Sequence, residues 1–172
     1  MKLSANEIQG LATKAARGAG FPPGQSETFG RATVVHLAAA RDAKAISSAL
    51  QNAGNSPILR LSLLVDDILL ACAAMKGEAE ITLHPHDAPM ALSYARLTPV
   101  RLTDCALIDR DDQPRLRVSA DLGTPSRPSL PPRIDMPERL HDELSTLAAK
   151  TYVPATAASR LRGAGAGLRD ND

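Results

Sequence analysis

The chain has 172 residues and a formal net charge of +1, with 44% hydrophobic and 23% charged residues. This is the balance of a folded protein of about one domain, and it excludes a disordered chain and any global steering toward nucleic acid or an anionic membrane. Aromatic residues make up 2% and Trp is absent, so the core must come from Leu, Ile, Val and Ala, and a base-stacking surface has only Phe21, Phe29, Tyr94 and Tyr152 to draw on.

Met1 to Glu7 lacks the apolar run of a signal peptide. The longest apolar stretch, Leu61 to Met75, is broken by Asp66-Asp67 and is too short to span a bilayer. Cys72 and Cys105 lie far apart with neither CxxC nor zinc spacing, so free buried thiols are expected. The expectation is a soluble cytoplasmic protein that engages neither nucleic acid nor membrane.

In chain order, Ser4-Ala-Asn-Glu7 has the form of a capping box. Ile8, Leu11, Ala12, Ala15, Ala16 and Ala19 follow on one helical face, which Gly18 and Gly20 terminate. Phe21-Pro-Pro-Gly24 forms a stiff corner into a second helix, from about Gln25 to Arg41, with Phe29, Ala32, Thr33, His36, Ala39 and Ala40 along its inner stripe. Its small residues allow close approach, so an αα-hairpin is predicted. Asp42 is placed to cap a third helix carrying Ile46, Ala49 and Leu50, ending near Gly54-Asn55.

Leu61, Leu64, Val65, Ile68, Leu69, Cys72 and Met75 keep helical spacing up to Gly77. A strand at Ile58–Leu64 is the alternative, so residues 57–66 stay open between helix and strand. Beyond Gly77 the period changes to two. Glu80–His84, Met90–Ala95, Arg101–Ile108 and Arg115–Leu122 are predicted strands of an antiparallel meander, the last two joined by the polar loop 109–114. Residues 123–133 are rich in Pro and Gly and read as a linker. Asp135-Met-Pro-Glu138 repeats the capping-box pattern ahead of a last helix bearing Leu140, Leu144, Leu147 and Ala148. The fold class is α+β: a single domain over residues 1–150 and a Gly/Arg tail over 151–172.

The tail carries the candidate site. Alternating glycines in Ser159-Arg160-Leu161-Arg162-Gly-Ala-Gly-Ala-Gly167 can turn backbone amides toward an anion. Arg160 and Arg162 add charge-assisted donors, Tyr152, Thr156 and Ser159 add hydroxyls, and Asp170 belongs to the terminal acidic cluster. The plain alternative is a flexible linker with a solubilising end.

Elsewhere, His84-Pro-His86-Asp87 brings two imidazoles close in sequence, a weak metal candidate because no third ligand is spaced to join them. Asp66-Asp67 is read as one solvent-facing carboxylate and one paired with Arg60. Asp109, Asp111 and Asp112 lack the glycine and distal Glu of a calcium loop and mark a hairpin tip. His36 is expected as a hydrogen-bonded core histidine and His141 at the surface. GxxxxGK[ST], GxGxxG after a strand, GxSxG and zincin motifs are all absent, which disfavours nucleotide-dependent enzymes and α/β-hydrolases. No cofactor is implied.

Two sets of residues resemble known families. Ser4-x-Asn6-Glu7 with Lys14-Ala-x-Arg17-Gly-x-Gly20, together with Tyr152-Val-Pro-Ala-Thr156, Ser159-Arg160 and Gly163-Ala-Gly-Ala-Gly167-Leu-x-Asp170-Asn-Asp172, resembles a small bacterial family of uncharacterised proteins. That resemblance brings no activity with it. Ser4 to Ala40 is also similar to the N-terminal helical segment of type-2 malate/lactate dehydrogenases, a helix, a corner and a second helix leading to a Ser-His-Gly motif. Ala39-Ala40-Arg41-Asp42-Ala43 stands in that place here, and the chain is too short for the rest of that fold. This second resemblance implies a helical hairpin without dehydrogenase activity.

These readings favour a non-catalytic binding or accessory protein, compatible with a homodimer, whose tail contacts a partner protein or a small anionic ligand. The alternative is a small metabolic enzyme or enzyme subunit, with Tyr152, Ser159 or His84 as acid/base and Arg160 as anion clamp. No motif decides between catalysis and binding.

Overall fold

A computed structural model describes residues 1–151, and the fold is α+β. The chain begins in a short strand, β1 (Lys2–Leu3), and enters α1 (Ala5–Gly18) through the predicted capping box. The Ser4 amide donates to Glu7 Oε2 at 2.8 Å and the Glu7 amide donates to Ser4 Oγ at 3.3 Å. At the corner the Ser26 hydroxyl donates to the Pro22 carbonyl at 2.9 Å, binding the first turn of α2 (Pro23–Ala38), where Pro23 lacks only an amide that has no helical partner anyway.

The αα-hairpin is present, and glycine sets its closeness. A Cβ at Gly30 would lie 2.2 Å from Thr13 Oγ1 and 2.8 Å from the Gln9 carbonyl oxygen. On the other side of α1, a Cβ at Gly18 would lie 1.9 Å from the Leu147 carbonyl oxygen.

Helix α2 stops three residues earlier than predicted, leaving Ala39 and Ala40 exposed and Ala40 at positive φ. It is buried on nearly every side, Val34, Val35 and Leu37 as well as Phe29 and Ala32, because α1, the helix over Ala88–Ala95 and a short ladder surround it. After α2 comes α3 (Lys44–Leu50), where the Asp42 carboxylate accepts the Lys44 amide at 3.0 Å. The region open between helix and strand is helical: α4 (Pro57–Arg60), a single 3-10 turn at 61–63, and α5 (Leu64–Ala74).

Strand β2 (Glu78–Thr82) lies two residues earlier than the predicted Glu80–His84, and Met90–Ala95 is not a strand. It lies in α6 (Ala88–Ala95). The alternation of Met90, Leu92 and Tyr94 is incidental. Met90, Ala91, Tyr94 and Ala95 are the buried apolar residues, at i, i+1, i+4 and i+5, which is helical spacing.

Strands β3 (Val100–Arg110) and β4 (Gln113–Pro125) form the predicted hairpin with a tighter tip. Asp111 and Asp112 alone make the turn, at φ 57° and 56°, the backbone of a two-residue connection that matches strand twist. The sheet order is β2-β4-β3, so it is not a meander. A second ladder pairs β1 with β5 (Ile134–Asp135). Two-residue strands carry no periodicity, and this ladder was invisible in the sequence. It occupies Asp135, so the predicted second capping box does not form: Pro137 precedes α7 (Glu138–Ala149) and no side chain caps that helix.

The layers run α7, α1, α2, then α5 and α6, then the three-stranded sheet. Leu116, Val118 and Ala120 of β4 face α5 and α6, and the opposite face bears Glu80, Arg115 and Arg117. No helix among the described residues is long and apolar enough to cross a membrane.

Candidate functional site

Three buried polar residues, His36, Ser93 and Thr98, collect where the end of α2, the end of α6 and the start of β3 meet. His36, 1% exposed, joins the first two. Its Nε2 stands 2.9 Å from the Asp42 carbonyl oxygen, which can only accept, so Nε2 carries the hydrogen. Nδ1 is then the acceptor for the Ser93 hydroxyl at 2.9 Å. Burial pushes the imidazole below its ordinary pKa, and the nearby Arg41 charge acts in the same direction against the pull of the Asp42 carbonyl. His36 is thus the satisfied core histidine that its place on the inner stripe predicted. Ser93 is fully buried and lines no pocket, so its hydroxyl faces no space in which a substrate carbonyl could sit. The serine–histidine pair is a brace, and its far end holds Arg41, whose Nη1 donates to Ser93 Oγ at 3.4 Å.

Arg41 opens into a pocket of about 310 Å³. Arg96, at the end of α6, and Arg127, on the loop after β4, share the lining with Val100 and Leu102 of β3. An irregular register between residues 100 and 104 bends β3 here. The Ser126 amide donates to the Pro99 carbonyl at 2.8 Å and ties the loop across the mouth. The base of that loop is fixed as well. Asp121 accepts the Thr124 hydroxyl at 2.7 Å, the Gly123 amide at 3.1 Å and Arg101 Nη2 at 2.8 Å, contacts that hold its carboxyl below the usual range.

The electrostatics of this pocket are one-sided. Three arginines line it together with Ser126 and Ser129, and no Asp or Glu does. Arg41, Arg96 and Arg127 have no salt bridge among the described residues. Burial and the neighbouring Arg96 charge push Arg41 below its ordinary value. Arg96 closes α6, and Arg41 follows the end of α2. Terminal carbonyls favour a cation there by only about 0.3–1 kcal/mol, which leaves the like charges largely uncompensated. Cys105, half-buried on β3, is near enough for both arginines to pull its thiol down, though burial dominates and pushes it up.

A second arginine cluster has the opposite character. Arg60 Nε lies 3.0 and 2.9 Å from the two oxygens of Asp87, Nη2 donates to Oδ1 at 2.6 Å, and Asn55 Oδ1 accepts from Nη1. Asp87 is 3% exposed. Arg60 was expected to pair with one of Asp66 and Asp67. Both of those are exposed on α5, and the partner is Asp87, supplied from the far side of β2 by the turn after His86.

His84 and His86 lie in that turn, exposed, their rings 5.0 Å apart edge to face, with the His86 amide donating to His84 Nδ1 at 3.2 Å. No group of three or more His, Cys, Asp or Glu side chains able to hold a metal ion occurs among the described residues. His86 lines a larger hollow of about 720 Å³ with His36, Arg41, Lys44, Asn52 and Asn55, so Arg41 borders both spaces. His141 is half-buried. Tyr152, Thr156, Ser159, Arg160, Arg162 and Asp170 lie outside the described residues.

Sequence reasoning missed Arg41, Arg96 and Arg127. They stand in three separate segments with no shared spacing, and only the stacking of α2 on α6 and of the 126–130 loop on β3 brings them together. The one available signal was local: Arg41 follows the alanine run at the end of α2, and Arg96 stands directly after the last residue of α6.

Residues 3–66 match a family model described as a protein of unknown function (DUF3726). The match takes in α1, α2, Arg41 and Arg60 but not Arg96 or Arg127, so the pocket lies partly outside it. No curated protein and no solved structure matches the chain.

Proposed function

We propose that this is a binding protein for a small anion, a phosphate or carboxylate group held by Arg41 and Arg96 with Arg127 closing from the loop. The observation that carries the reading is three arginines lining one pocket with no Asp or Glu among its walls. An anion there would relieve the repulsion between Arg41 and Arg96 and accept charge-assisted hydrogen bonds of about twice neutral strength. The Ser126 and Ser129 hydroxyls, which have no hydrogen-bond partner among the described residues, add donors at the rim. The pocket volume of about 310 Å³ is at the small end for ligand sites.

The test is a thermal-shift screen of the full chain against inorganic phosphate and small mono- and dicarboxylates, each matched with chloride at equal ionic strength. Stabilisation by at least one anion, absent in Arg41→Ala/Arg96→Ala, supports the reading. No anion-specific shift in the wild type removes it. The enzymatic alternative gains nothing from the one Ser–His contact, because the Ser93 hydroxyl that would have to attack is fully buried and lines no pocket.

A further inference from the structure

Of the large hydrophobic residues among those described, Leu63, Leu70 and Met75 are the most exposed, at 61, 71 and 66%, and all three lie on or beside α5. At about 100° per residue, Leu63, Asp67, Leu70 and Ala74 fall on one outward stripe at i, i+4, i+7 and i+11. Ile68 and Cys72 lie on the inner side and are fully buried. Asp66 and Ala73 flank the stripe, exposed like Asp67 and Ala74. Lys76 follows, exposed, beyond the helix end. The outer face of α5 is therefore acidic at its N-terminal end and apolar at its centre, with one exposed lysine, Lys76, past its C-terminal end ahead of Glu78 in β2.

That order is self-complementary in one orientation only. Two copies of α5 packed antiparallel about Leu70 set Leu70 against Leu70 and place Asp66 and Asp67 of each copy opposite the other copy's Ala73 and Ala74. The neighbouring Lys76 is then within a lysine's reach of those carboxylates. A parallel pairing would set Asp67 against Asp67. We propose that α5 is the interface of an isologous dimer, its occupant a second copy of this chain in antiparallel register. Small residues opposite the carboxylates let the helices approach closely, and the twofold axis makes each charge contact occur twice. This surface is formed by α5 and the residues flanking its two ends, and it shares no residue with the arginine pocket.

Sedimentation equilibrium of the full chain across a hundredfold concentration range tests the proposal. The expected result is a monomer–dimer equilibrium, at least tenfold weaker in Leu70→Glu. Because Leu70 is 71% exposed, that variant should keep wild-type circular dichroism. Lys76→Glu should also weaken association, with the loss smaller in high salt, and adding Asp66→Lys and Asp67→Lys to it should restore the dimer by exchanging the two charges. A monomer throughout the range overturns the proposal. So does a dimer that ignores Leu70→Glu, which would place the interface elsewhere, and so does a triple charge variant no tighter than Lys76→Glu alone.

Discussion

Arg60 and Arg41 make an instructive pair. Both are partly exposed, and both have their guanidinium groups fixed by neighbouring elements. Arg60 is forked onto a nearly buried carboxylate and capped by Asn55. Arg41 has one long hydrogen bond to a hydroxyl and a like charge beside it. An ion pair satisfied on both sides ties α4 to the turn before α6 and has nothing left for a ligand. An arginine held in place without a counter-charge costs stability and gains from an anion. The two clusters should therefore respond oppositely to mutation: breaking the first costs stability, and breaking the second costs only binding.

The largest effect is expected at Asp87. Asp87→Ala leaves Arg60 half-buried without its partner and should lower stability by about 2–3 kcal/mol, between an exposed pair and a fully buried one. Urea denaturation reads this directly, and a loss under about 0.5 kcal/mol would mean that the pair is not structural. His36→Gln, which removes one of two buried hydrogen bonds, should cost about 1–2 kcal/mol.

His36 also has a pH signature. Its pKa is lower in the folded than in the unfolded protein, so the native state binds fewer protons. Its contribution is fully present above the unfolded value, near 6.5, and is lost as pH falls below that toward the folded value. Unfolding curves from pH 7.5 to 5 should show this decline in the wild type and a shallower one in His36→Gln.

Arg41→Ala should change stability by less than about 1 kcal/mol, since the repulsion it relieves offsets the packing it loses. A loss as large as that of Asp87→Ala would erase the contrast. The smallest effect is expected at Asp67→Asn, within about 0.5 kcal/mol, because Asp67 is exposed and Arg60 does not use it.

How much of this was legible in the sequence follows from the range of the interactions. The Ser4–Glu7 box, the apolar face of α1 and the Asp111-Asp112 turn are decided within a few residues, and they read correctly or nearly so. His36 was legible because its inner stripe is a local pattern. Met90–Ala95 misled because six residues satisfy both periods, and burial by α2 and the sheet decides between them. The β1–β5 ladder, the Arg60–Asp87 pair and the arginine pocket join distant segments, and no local spacing encodes those meetings.

The central claim, that an unpaired arginine pair binds an anion while a paired arginine holds the fold, is tested most directly by urea unfolding at rising phosphate in constant 0.15 M salt. A ligand that binds only the folded state adds stability as its concentration passes its dissociation constant. The account predicts that wild type and Asp87→Ala gain stability in parallel with phosphate, while Arg41→Ala/Arg96→Ala gains none. Equal gains in all three proteins, or no gain in the wild type, would contradict it.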